Sequence, residues 1–232
     1  STIAANMQAV EATIAAATEA AGRPRASVQL LAVSKTFPME AVLEAMAAGQ
    51  RAFGENYLQE GVEKIAAVAR AQPDTPVEWH FIGPIQSNKT RPIATSFAWV
   101  HTVERLKIAQ RLSEQRPPEM GPLNVCLQVN ISGETTKSGA TPSELPELAR
   151  QVAALPNLKL RGLMAIPEAQ ADPALQRAAF AKLRVLADAL RAGGLAIDTL
   201  SMGMSGDMAS AIAEGATIVR VGSAIFGARN YD

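Results

Sequence analysis

The sequence predicts an α/β fold, a single (β/α)8 TIM barrel with an extra N-terminal helix, and three observations lead to it. Short runs rich in Val, Ile, Leu and Phe recur eight times along the chain. Ala- and Leu-rich stretches with helical spacing separate them, an alternation typical of parallel strands joined by crossover helices. Polar and glycine residues follow the runs, and eight strands close a barrel whose sites lie at the strand C-terminal ends.

The predicted elements follow one another in a regular order. Strands are expected near 28–34, 51–54, 78–83, 99–103, 123–131, 160–166, 199–204 and 217–221. Helices are expected near 38–48, 56–71, 86–94, 104–115, 142–154, 173–193 and 206–214. A further helix at 3–21 precedes the first strand, because apolar residues recur there at spacings of three and four. No Ser/Gly-rich linker or charge block divides residues 1–232, so they are predicted to form one domain.

Charge and cysteine content exclude several classes of function. Lys plus Arg number 22 and Asp plus Glu number 22, so no net positive field draws nucleic acid or an anionic membrane to the protein. Cys126 is the single cysteine, which excludes an intrachain disulfide and indicates a reducing compartment. One cysteine and two histidines do not supply a typical zinc cluster. The sequence has no leader pattern and no apolar run of about 18 residues, so we expect a cytoplasmic protein.

Lys35 is the residue that most directly suggests chemistry. It follows the apolar run of the first predicted strand, so its amine should lie at the barrel mouth or point into it. Burial there disfavours the charged ammonium, and a neutral amine attacks aldehydes such as that of pyridoxal phosphate to form a Schiff base. On this residue alone, a lysine that extends to solvent at a strand end is the better explanation.

Two loops suit a bound phosphate. Ser205 and Gly206 lead into a predicted helix, and Gly222 and Ser223 follow the eighth strand. Loops after strands seven and eight of such barrels often hold phosphate through backbone N–H groups and a helix N-terminus. Gly222 permits close backbone approach, and the serine hydroxyls can donate hydrogen bonds. The alternative is that Ser205 or Asp207 only caps a helix.

Arg220 lies between Val219 and Val221 in an apolar strand. A buried guanidinium needs a partner, and a barrel carboxylate is one candidate. Considered together with Lys35 and the glycine loops, a pyridine nitrogen is the better candidate.

Motifs along essentially the whole chain carry a resemblance to a known family. They are Ala32–Lys35, Phe53–Tyr57, Trp79–Gly83, Gln86–Lys89, Gly162–Met164, Ser201–Asp207 and Arg220–Gly227. In this order they resemble the pyridoxal phosphate homeostasis protein family, whose barrel is related to the N-terminal domain of alanine racemases. The resemblance implies that pyridoxal 5′-phosphate binds as an aldimine to Lys35, with Arg220 beside the pyridine nitrogen.

The resemblance also implies further cofactor-binding residues. Phosphate contacts correspond to Ser205, Gly222 and Ser223, with Ser201 as an additional member. Asn56 and His80, at the ends of strands two and three, are candidate neighbours of the cofactor, whereas backbone capping and a buried core histidine are the alternatives. Lys137, in the loop after strand five, resembles a second lysine of the family. A role in cofactor exchange and a solvated loop lysine explain it equally well.

An amino-acid racemase is the competing function, because it needs the same lysine, arginine and phosphate loops. Two-base racemisation also needs an acid/base group on the opposite face of the substrate, which alanine racemases take from a tyrosine of an added domain in a partner subunit. The sequence ends at Asp232 without that domain, Tyr57 begins a predicted helix and Tyr231 lies in the terminal tail. We therefore expect a monomeric, non-catalytic carrier that serves vitamin B6 homeostasis, with recipient apo-enzymes as candidate partners. A regulatory module that senses the cofactor through a partner is a third class.

Overall fold

The strands of the computed structural model, which describes residues 2–135 and 137–229, form one closed parallel barrel in chain order. They are β1 (Gln29–Val33), β2 (Ala52–Glu55), β3 (Glu78–Phe81), β4 (Trp99–Val103), β5 (Leu123–Gln128), β6 (Leu158–Met164), β7 (Thr199–Ser201) and β8 (Ile218–Val221). Strand β8 closes the sheet by pairing with β1, where Leu31 lies opposite Arg220. The predicted fold class is therefore confirmed. Tyr231 and Asp232 lie outside the described residues.

The helices surround the barrel. They are α1 (Ile3–Ala20), α2 (Met39–Ala47), α3 (Leu58–Ala71), α4 (Thr90–Ser96), α5 (Leu106–Gln115), α6 (Leu145–Ala153), α7 (Pro173–Ala192), α8 (Met208–Ala213) and α9 (Ser223–Phe226), with short 3-10 turns at Arg25–Ser27, Ser87–Lys89 and Pro118–Met120. Within the described part of the chain, no helix combines the length and hydropathy needed to cross a membrane.

The extra N-terminal helix is present and packs on the closing seam of the barrel. Thr2 caps α1 by accepting a hydrogen bond from the Ala5 N–H at 3.0 Å, which satisfies one of the free N–H groups of the first turn. Helix α1 packs against α2, α8 and α9. The Asn6 side chain donates to the Ile225 carbonyl at 2.9 Å, so α1 is tied to the last helix rather than projecting into solvent.

Two apolar layers result from the alternation of side chains along each strand. The larger layer lies between the sheet and the helices and includes Val219 and Val221. The smaller one fills the barrel interior and includes Leu31, Val33 and Ile218. Arg220 shares the parity of Ile218 and therefore points inward.

Several predicted boundaries differ from the structure. Strand β7 ends at Ser201 rather than near 204, because Gly203 adopts a φ of 105° that leaves the extended conformation. The predicted helix at 86–94 begins as a 3-10 turn and continues as α4, a common start for a helix. Helix α9 was not predicted, since its four residues are too short to show a helical period.

Candidate functional site

A cavity of about 490 Å³ opens at the C-terminal ends of the strands. Six of the eight candidate residues line it: Lys35, Asn56, Ser205, Arg220, Gly222 and Ser223. Apolar wall residues are Val33, Ile82, Met164, Ile166 and Met204, and Gly206 and Arg229 complete the lining. The structure thus brings together residues from strands remote in sequence, whereas His80 and Ser201 do not line this cavity.

Lys35 sits on a tight turn that directly follows β1. The Phe37 N–H donates to the Ser34 carbonyl at 3.0 Å, and Thr36 adopts a positive φ of 68°, which is costly for a β-branched residue. Lys35 itself is partly buried. Burial lowers its pKa, and the positive charge of Arg229 lowers it further. A larger fraction of its amine is therefore neutral than in a solvent-exposed lysine.

Four side chains beneath this turn, Ser34, Glu55, Glu60 and Lys64, form what we call the Lys64 cluster. The Ser34 hydroxyl donates to the Glu55 carboxylate, and Lys64 Nζ lies 2.9 Å from Glu55 Oε2 and 3.2 Å from Glu60 Oε1. Lys64 also donates to the Ser34 carbonyl at 2.8 Å. Burial raises the pKa of Glu55, an effect that Lys64 and Ser34 partly offset.

The Lys64 cluster holds both sides of the strained turn. Glu60 accepts a hydrogen bond from the Thr36 N–H at 2.6 Å, while Lys64 binds the carbonyl one residue before Lys35. These bonds fix the backbone on either side of Lys35. Ser34 and Glu55 lie in motifs that the sequence analysis named. Glu60 and Lys64 were missed, because the pairing with Lys64 depends on how α3 packs over β2.

Arg229 is a site residue that sequence reasoning missed. Its guanidinium donates to the Lys35 carbonyl and, at 3.0 Å, to the Val33 carbonyl. It also stacks over the Phe37 ring, 5.1 Å from the ring centroid. The sequence places Arg229 two residues after Gly227, where the motif Arg220–Gly227 ends, and extending that motif would have included it.

The two candidate phosphate loops face the same cavity. Asp207 occupies the N-cap position of α8, but its carboxylate accepts from the Met204 N–H at 2.7 Å instead of from the first turn of the helix. Packing requires a glycine at position 222, because a Cβ there would overlap Arg229 Nη2. The Ser205 and Ser223 side chains are exposed and open to a ligand.

Arg220 lies at the floor of the cavity and is 5% exposed. Its Nη1 donates to the Ser201 hydroxyl at 2.7 Å and the Ser201 carbonyl at 3.2 Å, and its Nη2 donates to the Ala165 carbonyl at 3.1 Å. Its hydrogen-bond partners among residues 2–135 and 137–229 are therefore neutral oxygens. Burial lowers the pKa of Arg220 to about 10, so it stays charged at neutral pH.

Ser201 and His80 lie behind Arg220, in a line of hydrogen bonds that we call the interior chain: Arg220, Ser201, His101, His80 and Glu78. His101 Nδ1 lies 2.8 Å from Ser201 Oγ, and His101 Nε2 lies 2.8 Å from His80 Nδ1. His80 Nε2 lies 2.8 Å from Glu78 Oε1. Burial lowers the pKa of His80 and, more strongly, that of His101, so both rings are neutral.

His101 was not predicted. Its signal was parity, since it follows Trp99 by two residues on β4 and therefore faces the barrel interior. His80 is fully buried and matches the core alternative given above better than direct contact with a ligand in the cavity.

Comparison with known proteins identifies the family. Residues 5–230 match the family described as the N-terminal domain of alanine racemase. The chain is 64% identical, over 231 residues, to the pyridoxal phosphate homeostasis protein of Pseudomonas aeruginosa, with 100% of this chain and 97% of that protein covered. The chain belongs to the pyridoxal phosphate homeostasis protein family. The resemblance predicted from the motifs is therefore confirmed.

Solved structures agree with this family. PipY of Synechococcus elongatus PCC7942 with PLP bound superposes on this family member with a TM-score of 0.83 and 37% identity, over 97% of this chain and 100% of that one. Alanine racemase from Corynebacterium glutamicum superposes with a TM-score of 0.70 at 19% identity, over 98% of this chain and 60% of that one. At that identity, the second comparison shows the shared barrel alone.

The cavity of this family member has two features of a small-molecule site. Asn56 Oδ1 is buried and has no hydrogen-bond partner among the described residues, an arrangement that costs about 1–3 kcal/mol and is expected where a ligand binds. The volume, about 490 Å³, is within the range of small-molecule sites, roughly 300–1,000 Å³. Lys137 is exposed and does not line the cavity.

Proposed function

We propose that this protein holds pyridoxal 5′-phosphate as a Schiff base to Lys35 and serves vitamin B6 homeostasis. The observation that carries the proposal is the convergence of Lys35, whose pKa is lowered, with Arg220 and two serine–glycine loops on one cavity. The description of PipY as binding PLP, at 37% identity over 97% of this chain, supports it.

Each group would meet a complementary part of the cofactor. A neutral Lys35 amine would supply the nucleophile for the aldehyde carbon of the cofactor, and formation of the imine would release the aldehyde oxygen as water with the two amine hydrogens. Arg220 stays protonated and donates toward the ring nitrogen, which keeps that nitrogen unprotonated. The Ser205 and Ser223 hydroxyls and the backbone at Gly222 hold the phosphate, and Asn56 contacts the ring substituents.

The lining of the cavity favours a carrier over a racemase. Its ionisable members among the described residues are Lys35, Arg220 and Arg229, and arginine does not act as a base at neutral pH. One face of a bound amino acid would therefore meet a base and the other would not, whereas two-base racemisation needs both. Cytoplasmic location, a monomeric state and release of the cofactor to recipient apo-enzymes complete the proposal.

Borohydride reduction tests the proposed function. Protein loaded with pyridoxal phosphate is reduced, digested and analysed by mass spectrometry, and the phosphopyridoxyl group is expected on the peptide containing Lys35. Lys35→Ala should give no such label and lose the absorption band of the Schiff base. Lys137→Ala, a matched exposed lysine, should keep both. A label solely at another lysine would overturn the proposal.

A further inference from the structure

The interior chain connects the cavity to the opposite end of the barrel. Glu78 is the first residue of β3 and lines a groove of about 760 Å³ beneath the barrel, together with Glu11, Arg25 and Gln29. Its side chain is 43% exposed. Arg220, at the other end of the interior chain, is buried at the cavity floor. The interior chain therefore spans the barrel from an open groove to the ligand cavity.

The hydrogen bonds of the interior chain have one direction. Arg220 has only donors, so the Ser201 hydroxyl accepts from it and must turn its own hydrogen toward His101 Nδ1. His101 is neutral, so its single hydrogen lies on Nε2 and is donated to His80 Nδ1. His80 in turn donates from Nε2 to the Glu78 carboxylate. An arginine at one end and a carboxylate at the other thus fix both imidazole tautomers.

This order matters because Arg220 has no carboxylate among the hydrogen-bond partners given above. Its buried charge is stabilised by hydrogen bonds to two carbonyl groups and one hydroxyl, and electrostatically, without a hydrogen bond, by the Asp207 carboxylate. The aligned dipoles of Ser201, His101 and His80 extend that stabilisation to Glu78, and hydrogen bonds with a charged group at each end are the stronger kind. Trp99 stacks on His80 with ring centroids 5.1 Å apart and holds that ring in place.

We propose that Glu78, His80 and His101 are positioning residues that act through Ser201 to orient Arg220 toward the cofactor. A carboxylate at the far end of the barrel thereby sets how tightly the cofactor is held. The inference rests on the proposed function, since it assumes that Arg220 faces pyridoxal phosphate.

Glu78→Gln is the variant that tests the role of the interior chain. It keeps the shape of the side chain and an acceptor oxygen but removes the negative charge at the end of the interior chain. An amide can also turn its N–H2 toward His80, at the expense of the bond that Glu78 Oε1 accepts from Gln29 Nε2. That orientation reverses the His80 tautomer and then the His101 tautomer, and it leaves Ser201 without its acceptor. The dissociation constant for pyridoxal phosphate should rise by about fivefold or more, the lower range of measured couplings between sites. The absorption maximum of the bound cofactor should shift as well.

Glu11→Gln is the matched control. Glu11 lines the same groove and bonds Arg25 at 2.7 Å without touching the interior chain. Its loss should leave the dissociation constant and the spectrum unchanged. Because Glu78 is partly exposed, its variant is expected to fold, and circular dichroism of each variant checks this.

Ser201→Ala decides whether the effect of Glu78→Gln on affinity is transmitted through the interior chain. In that background Glu78→Gln should change the dissociation constant by less than about twofold, because coupled residues are not additive. An effect of Glu78→Gln that persists undiminished, or one that Glu11→Gln reproduces, would overturn the inference. Absence of the borohydride label on Lys35 of the unaltered protein would overturn the proposed function as well. A normal label with an unresponsive Glu78→Gln overturns the inference alone.

Discussion

Lys35 and Arg220, two of the three basic residues that line the cavity, have supports of opposite character. The Lys64 cluster beneath Lys35 is charged, with an ion pair between Lys64 and Glu55 that is almost completely buried. The interior chain behind Arg220 is neutral until its far end. Lys35, proposed to react as a neutral amine, is not paired with Glu55 or Glu60, because Lys64 binds both carboxylates. Arg220, proposed to face the cofactor as a cation, is surrounded by oriented oxygens and dipoles.

The largest effect, a loss of folding stability, is expected from breaking the Lys64 cluster. Lys64→Met leaves the Glu55 carboxylate, 0% exposed, without its cation. Removing one partner of a buried pair costs about 3–5 kcal/mol, and the free energy of unfolding in urea should fall by that amount. Glu147→Gln, which removes an exposed ion pair with Arg150, is the control and should leave the stability unchanged. A similar result for the two variants would show that the buried pair does not stabilise the fold.

A smaller effect is expected where the loop after β8 meets Arg229. In Gly222→Ala the new methyl group should displace the Arg229 guanidinium and move the backbone of the proposed phosphate loop. Loss of one charge-assisted hydrogen bond costs about 1.5–3 kcal/mol, so the affinity for pyridoxal phosphate, followed by absorbance titration, should fall about tenfold or more. Gly193→Ala, at the end of α7, is the control. Unchanged affinity in Gly222→Ala would mean that the phosphate binds elsewhere.

Acid should weaken the interior chain behind Arg220. The pKa of His101 is well below its ordinary value in the folded protein because of burial, so below about pH 6.5 the unfolded chain binds more protons than the folded one. Stability is therefore complete above that pH and is lost as the pH falls, by at most about 1.4 kcal/mol per pH unit for one histidine. Urea unfolding at pH 7.5 and 5.5 measures the loss, which should be smaller in His101→Asn. An equal loss in both proteins would contradict the assignment.

Racemisation at an enzyme-like rate is not expected, because the cavity joins one base to two permanent cations. Loaded protein is incubated with L-alanine in deuterated water, and both chirality and exchange at the α-carbon are followed. Slow exchange without inversion is the expected outcome, with Lys35 as the single base. Inversion at roughly 1 s⁻¹ or more, the ordinary enzyme range, that disappears in Lys35→Ala would restore the racemase.

Sequence periodicity predicted the barrel and its leading helix because every strand carries its own apolar run. The apolar strand around Arg220 predicted a buried guanidinium that needs a partner, and strand ends predicted that Lys35 and Gly222 lie on the same face of the barrel. The Lys64 cluster and the interior chain were not predictable in this way. Ser201 and His101 are 100 positions apart and meet only across the closed barrel, and Lys64 reaches Glu55 through the docking of α3. Local patterns show which face a residue occupies, but not its partner from a distant element.

The bonds from Arg229 also set the order in which the site is completed during synthesis. They join its guanidinium to backbone carbonyls 194 and 196 positions earlier in the chain, so β1 leaves the ribosome long before the residue that finishes its turn. The amine of Lys35 therefore acquires its native surroundings only when nearly all of the described chain has emerged. Lys35 of a nascent chain stalled before Gly227 is expected to take up no more borohydride label than the other lysines of that chain.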